Sequence, residues 1–167
     1  MATDNTTIRD TFVVGLRNAH GLEKQALQIM DRQLERMTDY PEVIARLRQH
    51  KEETNRQVER LDTILARYGE SHSSIKDAVM SFMGNLAALG HAPAEDEVLK
   101  NTFADLAFEA YEIASYKSLI LMAERVGDQD AVRLLTESLR EEEATAAWFD
   151  QNIGMVTERY LQQSRAA

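Results

Sequence analysis

The sequence contains no cysteine and little proline, glycine or aromatic residue. Its 167 residues include two prolines, seven glycines and 7% aromatic residues. Without cysteine there are no disulfide bonds, no thiolate metal ligands and no thiol chemistry. Because helix-breaking residues are scarce and Ala, Leu, Glu, Arg and Gln are abundant, the composition favours an all-helical fold. A chain of this length fits one domain, which we place at residues 1–167.

Long apolar runs and an excess of positive charge are missing as well. The longest apolar runs, such as residues 119–123, are far too short to span a bilayer. The first residues form neither a basic nor an apolar segment, so the sequence predicts no signal peptide and a cytoplasmic location. The net charge of −9 argues against binding to nucleic acid or to an anionic membrane.

Apolar residues recur at steps of three and four, which predicts long amphipathic helices. We expect helix A at about 7–38, helix B at 41–68, helix C at 95–126 and helix D at 128–161. Residues 70–93, between B and C, carry a shorter amphipathic pattern that predicts a short fifth helix. The predicted fold class is therefore all-α: a four-helix bundle with a short helix in the long crossover between B and C.

Glutamates interrupt the apolar stripes at matching depth on the four helices. Inward positions are held by Glu23, Glu53, Glu109 and Glu142. Buried carboxylates that converge need a cation or shared protons. Carboxylate bundles that bind two metal ions take one Glu from each of two helices and a Glu-x-x-His motif from each of the others. The sequence therefore predicts a metal-binding core, although each glutamate alone also fits a stripe edge whose carboxylate reaches water.

The two histidines of that motif are absent. The residue three positions after Glu53 is Arg56, and the residue three positions after Glu142 is Thr145. A site built in this way is rich in oxygen ligands and favours hard ions such as iron or manganese over copper or zinc. Arg56 offers an alternative, because a buried arginine can neutralise carboxylates without metal, although an arginine on a helix more often extends into solvent.

Other side chains compensate for the missing histidines. Glu112 lies one turn after Glu109, and His50 lies in helix B at a similar depth, so both are predicted as further metal ligands. Tyr116 and Gln57 are predicted to hydrogen-bond to the ligands without binding metal themselves.

Four short runs resemble the YciE/YciF family of bacterial ferritin-like stress proteins. They are Leu-Glu-Lys-Gln at 22–25, His-Lys-Glu-Glu-Thr at 50–54, Tyr-Glu-Ile-Ala-Ser-Tyr at 111–116 and Leu-Arg-Glu-Glu at 139–142. The spacing of a further set is similar to the rubrerythrin-type pattern: Glu109, Tyr116, Gly127 and Glu142. The resemblance implies a ferritin-like fold, a homodimer, a cytosolic setting and a link to stress.

Two functions are compatible with these features. The first is a protein with two bound metal ions, iron or alternatively manganese, that handles O₂ or peroxide as its small-molecule oxidant. The second is a non-enzymatic stress, structural or interaction protein whose glutamate-rich core is metal-free. The sequence does not decide whether the chain is an enzyme, and the metal content of purified protein separates the two functions.

Overall fold

Four α-helices make up the structure, a computed structural model that describes residues 2–70 and 96–165. They are α1 (Ala2–Arg36), α2 (Pro41–Arg67), α3 (Glu97–Val126) and α4 (Gln129–Ser164). No β-strand occurs in these residues, which confirms the all-α class. The expected short helix lies outside the described residues from position 71 onward and stays a prediction. No described helix has an apolar stretch of the length needed to cross a lipid bilayer.

The helix ends follow local sequence signals. Pro41 occupies the first turn of α2, where its fixed φ and missing N–H carry no penalty. Gly127 ends α3 with a φ of +79°, a left-handed conformation that glycine adopts at little cost. The Asp128 side chain then accepts a hydrogen bond of 2.9 Å from the Ala131 N–H and caps α4. α1 begins at Ala2, before the expected start near residue 7.

Neighbouring helices run antiparallel, and each helix packs against two others. α1 contacts α2 and α3, while α4 contacts α2 and α3. The last residue of α1, Arg36, pairs with Glu97 at the start of α3 at 2.7 Å. Near the end of α2, Arg67 pairs with Asp128 before α4 at 3.2 Å. α2 and α3 are therefore parallel and diagonal, and the connection between them joins opposite ends of the bundle, as in bundles with one long crossover.

The inward face of α3 differs from the predicted stripe. Leu106, Ile113 and Ile120 share a helical stripe with Glu109 at steps of three and four, but they are only partly buried. The residues buried along α3 are Thr102, Asp105, Glu109, Glu112, Tyr116, Leu119 and Ala123. Apolar residues surround α3 on nearly every side, so the spacing identified the helix without fixing its rotation. The observed rotation aims Glu112 as well as Glu109 into the bundle.

Polar side chains form a layer between two apolar clusters. One cluster, near the α1–α2 connection, contains Met30, Val43, Leu47, Phe149 and Val156 among others. The cluster towards the other end contains Phe12, Leu16, Leu61, Leu65, Leu119 and Leu135 among others. The layer between them holds the inward glutamates and His50. The apolar clusters separate this layer from both ends of the bundle.

Candidate metal centre

Four side chains from three helices bring their ligand atoms together in the polar layer. They are His50 of α2, Glu109 and Glu112 of α3, and Glu142 of α4, and one ligand atom from each lies within 4.8 Å of the others. All four residues are buried, and none is more than 3% exposed. The cluster contains four of the six residues predicted as metal ligands.

His50 lies at the centre of this group. Its Nε2 atom is 3.1 Å from Glu109 Oε1 and 3.8 Å from Glu142 Oε2. Burial alone would lower the pKa of His50, but the charge of Glu109 and hydrogen bonds to Glu109 and Glu53 outweigh it and raise the pKa to about 9. In the absence of metal, a cationic imidazole therefore supplies part of the positive charge that the carboxylates require.

Five of the six glutamate oxygens of the cluster lack hydrogen-bond donors among the described residues. Both oxygens of Glu112, both oxygens of Glu142 and Oε2 of Glu109 are buried and receive no hydrogen bond from N–H or hydroxyl groups of the described residues. Burial and the neighbouring carboxylates raise the pKa of Glu112 and of Glu142 well above its usual value. Oxygens with free lone pairs beside an imidazole nitrogen are the ligands that iron and manganese bind.

Glu23 lies beside the cluster and is paired with Tyr116. The Tyr116 hydroxyl donates a hydrogen bond to Glu23 Oε1, while Glu23 Oε2 has no partner in the described residues. Burial raises the pKa of Glu23 to about 8, although the Tyr116 hydrogen bond opposes the shift. Tyr116 thus has the predicted contact with a ligand candidate, and Glu23 retains one free oxygen.

Glu53 is also buried and is contacted by Arg46, His50 and the Gln49 amide. Arg46 Nη2 lies 3.1 Å from Glu53 Oε2, and Gln49 donates to Oε1 at 2.8 Å. Burial favours a higher pKa for Glu53, but hydrogen bonds from His50 and Gln49 and the charge of Arg46 together lower it. The Gln57 amide donates to Glu141 at 3.0 Å, and it has no hydrogen bond to a predicted ligand among the described residues.

A buried arginine supports the site, but it is Arg46 and not Arg56. Arg56 is about half exposed and lies 3.7 Å from Glu141, at the bundle surface. Arg46 is 8% exposed and donates to both Glu53 and Thr145. The sequence shows only that Arg46 lies four residues before His50 and therefore on the same helix face; it does not show that the guanidinium is buried.

A second buried polar pair extends the layer along α3. The Gln33 amide donates to Asp105 Oδ1 at 2.7 Å, and both residues are buried. Burial raises the pKa of Asp105 to about 7, and the charge of Glu109 adds to this shift. Asp105 precedes Glu109 by one helical turn, so α3 presents acidic residues towards the interior over about two turns, from Asp105 to Glu112.

The geometry of this core is accompanied by a clear family match. A family model described as a domain of unknown function, DUF892, matches residues 7–162. The chain belongs to the DUF892 family. Protein YciF of Escherichia coli K12 is 35% identical over 150 residues, which cover 83% of this chain and 86% of the relative. The resemblance to the YciE/YciF family is thereby confirmed.

Solved structures of similar proteins have the same fold as this DUF892 chain. A protein of Xanthomonas campestris pv. campestris matches with a TM-score of 0.78 and 27% identity over 95% of this chain and 99% of that one. The E. coli stress protein YciF matches with a TM-score of 0.68 and 27% identity over 90% and 97%. The arrangement of the four helices is therefore shared with these structures.

Proposed function

We propose that this chain is a ferritin-like, stress-associated protein whose bundle core binds two metal ions, iron in preference to manganese. The E. coli relative is described as a stress protein, and the buried His–Glu cluster supplies the ligands. The residues proposed as ligands are His50, Glu109, Glu112 and Glu142, with Glu23 and Glu53 completing the set from the two sides.

The buried glutamate oxygens without donors are the observation that carries this proposal. A buried polar atom that has lost its hydrogen bond to water costs about 1–3 kcal/mol, and more when it is charged. Glu112 and Glu142 together leave four such oxygens. A metal ion would satisfy these oxygens and would also offset the burial and the repulsion that raise the pKa of the two carboxyls. No apolar packing role requires carboxyl groups at these positions.

The charges of the layer are compatible with two divalent ions. Five glutamates contribute five negative charges when all are ionised: Glu23, Glu53, Glu109, Glu112 and Glu142. Two divalent cations and the buried Arg46 guanidinium together match those charges, while His50 is neutral as a ligand. Arg46 therefore complements the metal ions and does not replace both of them.

Bound iron or manganese would supply the electron transfer that O₂ or peroxide requires. The protein would contribute an interior shielded from bulk water, since the cluster residues are at most 3% exposed. Tyr116, which donates to Glu23, would hold that carboxylate in place beside the ions.

Metal titration of two neighbouring variants tests the proposal. Chelator-treated protein is titrated anaerobically with Fe²⁺ and with Mn²⁺, and bound metal is measured by elemental analysis. We expect about two ions per chain for the wild type and a large loss for Glu142→Gln. Glu143→Gln is the matched control, because Glu143 is the next residue, is about half exposed and pairs with Lys117 at the surface.

Two results would contradict this function. If wild-type protein binds neither ion and neither ion raises its melting temperature, the core is metal-free and the non-enzymatic alternative stands. If Glu142→Gln and Glu143→Gln bind metal equally, the ions lie elsewhere. Consumption of O₂ or peroxide by the loaded wild type, but not by Glu142→Gln, would support the proposed reaction.

We also infer a homodimer and a cytoplasmic setting from the family resemblance. Sedimentation velocity at micromolar concentration should give twice the chain mass of 19.0 kDa. A species with the mass of one chain would contradict the dimer.

A further inference from the structure

The hydroxyl of Thr145 has three polar neighbours inside the bundle. Its Oγ1 atom lies 3.0 Å from the backbone oxygen of Glu141 and 3.0 Å from Nδ1 of His50. Arg46 Nη2 also donates to the same oxygen. Thr145 is fully buried, so these protein groups, and not bulk water, determine the direction of its hydrogen.

Counting hydrogens determines the role of each neighbour. A threonine hydroxyl has one hydrogen to donate and two lone pairs that accept. Arg46 is only a donor and occupies one lone pair. The Glu141 carbonyl is only an acceptor and takes the Thr145 hydrogen. The second lone pair then faces His50 Nδ1, so this nitrogen must carry a hydrogen and donate it to Thr145. Glu53 Oε2, 3.5 Å from the same nitrogen, also favours a hydrogen there.

The other ring nitrogen of His50 faces the carboxylates. Nε2 lies between Glu109 Oε1 and Glu142 Oε2, which are candidate metal ligands. In the metal-free protein the imidazole is cationic and carries hydrogen on both nitrogens, whereas the neutral imidazole that binds a metal ion carries one hydrogen only. If Nδ1 keeps that hydrogen, the lone pair is at Nε2 and points into the cluster. Histidines that bind metal through one nitrogen commonly donate the other N–H to a protein acceptor, which fixes the tautomer and the ring orientation.

We propose that Thr145, oriented by Arg46 and the Glu141 carbonyl, is a positioning residue that keeps the hydrogen of His50 on Nδ1 and leaves Nε2 free for a metal ion. The metal half of this inference rests on the proposed function; the hydrogen position does not. Thr145 occupies the place of a histidine in the rubrerythrin-type pattern, and here it supports the remaining histidine. The competing arrangement has Thr145 donating to Nδ1, which would put the His50 hydrogen on Nε2 and block the metal position.

The hydrogen position can be measured on metal-free wild-type protein at neutral pH. Nitrogen-15 NMR of histidine-labelled protein distinguishes a ring nitrogen that carries hydrogen from one that does not. We expect His50 Nδ1 to carry hydrogen in the metal-free protein and to retain it after Zn²⁺, a diamagnetic probe, is added. A bare Nδ1 in the metal-free protein overturns the proposal, whether or not metal binds. This measurement needs no variant and is therefore independent of any folding defect.

Substitutions at Thr145 test the positioning role. Thr145→Val removes the hydroxyl at nearly constant shape, and we expect a loss of roughly 10- to 100-fold in Fe²⁺ or Mn²⁺ affinity. Thr145→Ser keeps the hydroxyl and should restore binding. Thr136→Val and Thr157→Val are matched controls on α4, because each hydroxyl also donates to the carbonyl four residues earlier but lies outside the His50 network.

The outcomes separate this proposal from the proposed function. If Thr145→Val binds metal as tightly as the wild type, the positioning role is wrong even though the metal site is real. If the two control variants lose as much affinity as Thr145→Val, the effect belongs to α4 in general, which also overturns the role. If wild-type protein binds no metal while Nδ1 carries hydrogen, the hydrogen arrangement is supported and the proposed function fails.

Discussion

The stability of the metal-free protein should fall as the pH rises from about 5 to about 8. Burial raises the pKa of Glu23 from 4.5 to about 8, so folded Glu23 keeps its proton where unfolded Glu23 has lost it. Below pH 4.5 both states are protonated and the stability contribution of Glu23 is fully present; it is lost as the pH rises towards 8. Asp105, whose pKa is raised to about 7, acts in the same direction.

His50 contributes with the same sign. Its pKa is raised from 6.5 to about 9, so its stabilising contribution is complete below pH 6.5 and is lost as the pH rises through about 9. For a base this means that the folded state binds the proton more tightly than the unfolded state does. Glu23, Asp105 and His50 therefore all stabilise the metal-free fold at low pH and weaken it at high pH. Glu53, whose pKa is lowered, acts in the opposite direction at the acidic end of the range.

The size of the effect follows from the shift of Glu23. One pKa unit is worth about 1.4 kcal/mol, so a rise from 4.5 to about 8 corresponds to a loss on the order of 5 kcal/mol. Single domains have a free energy of unfolding of roughly 5–15 kcal/mol. One carboxyl group is therefore enough to change the stability visibly. The shifts of interacting groups do not add, so the Glu23 value sets the scale.

Urea unfolding of chelator-treated protein at several pH values measures this loss. Glu23→Gln retains an acceptor for the Tyr116 hydroxyl but cannot ionise, so its stability should depend much less on pH. Glu143→Gln removes an exposed carboxylate and should leave the wild-type slope unchanged. Saturating Fe²⁺ under anaerobic conditions should reverse the trend, because the ion binds the deprotonated ligands. A metal-free stability that is flat or rises from about pH 5 to about pH 8 would refute the reasoning.

Two further pairs of substitutions are expected to give opposite results. Glu142→Leu should abolish metal binding and stabilise the metal-free protein by about 1–4 kcal/mol. Glu109→Leu should destabilise the metal-free protein, because the cationic His50 loses its partner at 3.1 Å. Equal changes in the urea midpoint of the two variants would contradict this. Gly127→Ala should lower the melting temperature, since φ is +79° there and an L side chain pays about 1 kcal/mol or more. Gly154→Ala, inside α4 with open space around it, should raise it through about 1 kcal/mol of helix propensity; a rise for both would show that the Gly127 backbone is unstrained.

The helices and most inward glutamates were predictable because helical spacing is a local property. Glu23 and Glu142 interrupt otherwise apolar stripes, so their burial follows from counting steps of three and four. Gly127 ends α3 at the predicted place because only glycine suits the left-handed conformation there. Glu112 was less certain, since α3 is apolar on nearly all sides and the sequence does not define its rotation. Contacts with α1 and α4 determine that rotation, and they are not local.

The partners of the buried charges could not be predicted in the same way. Arg46 lies on the same face of α2 as His50, but an arginine at a stripe edge usually extends its guanidinium to water. In the bundle, the Arg46 guanidinium donates to Thr145, which is 99 residues away in the sequence. Thr145 belongs to α4, and the whole interface between α2 and α4 determines how these two helices are aligned. The alignment of α2 against α4 also explains why Arg56, at the expected histidine position, lies at the surface.

The polar layer lowers the folding stability of an otherwise apolar bundle core, and a function explains why it is present. Apolar clusters lie on both sides of it, so the fold does not need the layer for stability. Leucine at positions such as Glu142 would fit the surrounding stripe and would remove a buried acid that receives no hydrogen bond from the described residues. Replacing buried ionic groups by apolar ones is often neutral or stabilising. The chain nevertheless places five glutamates, a histidine and an arginine at one depth. This concentration is explained if the layer serves a ligand of positive charge, and Arg46 and His50 are then the part of that charge which the protein itself supplies.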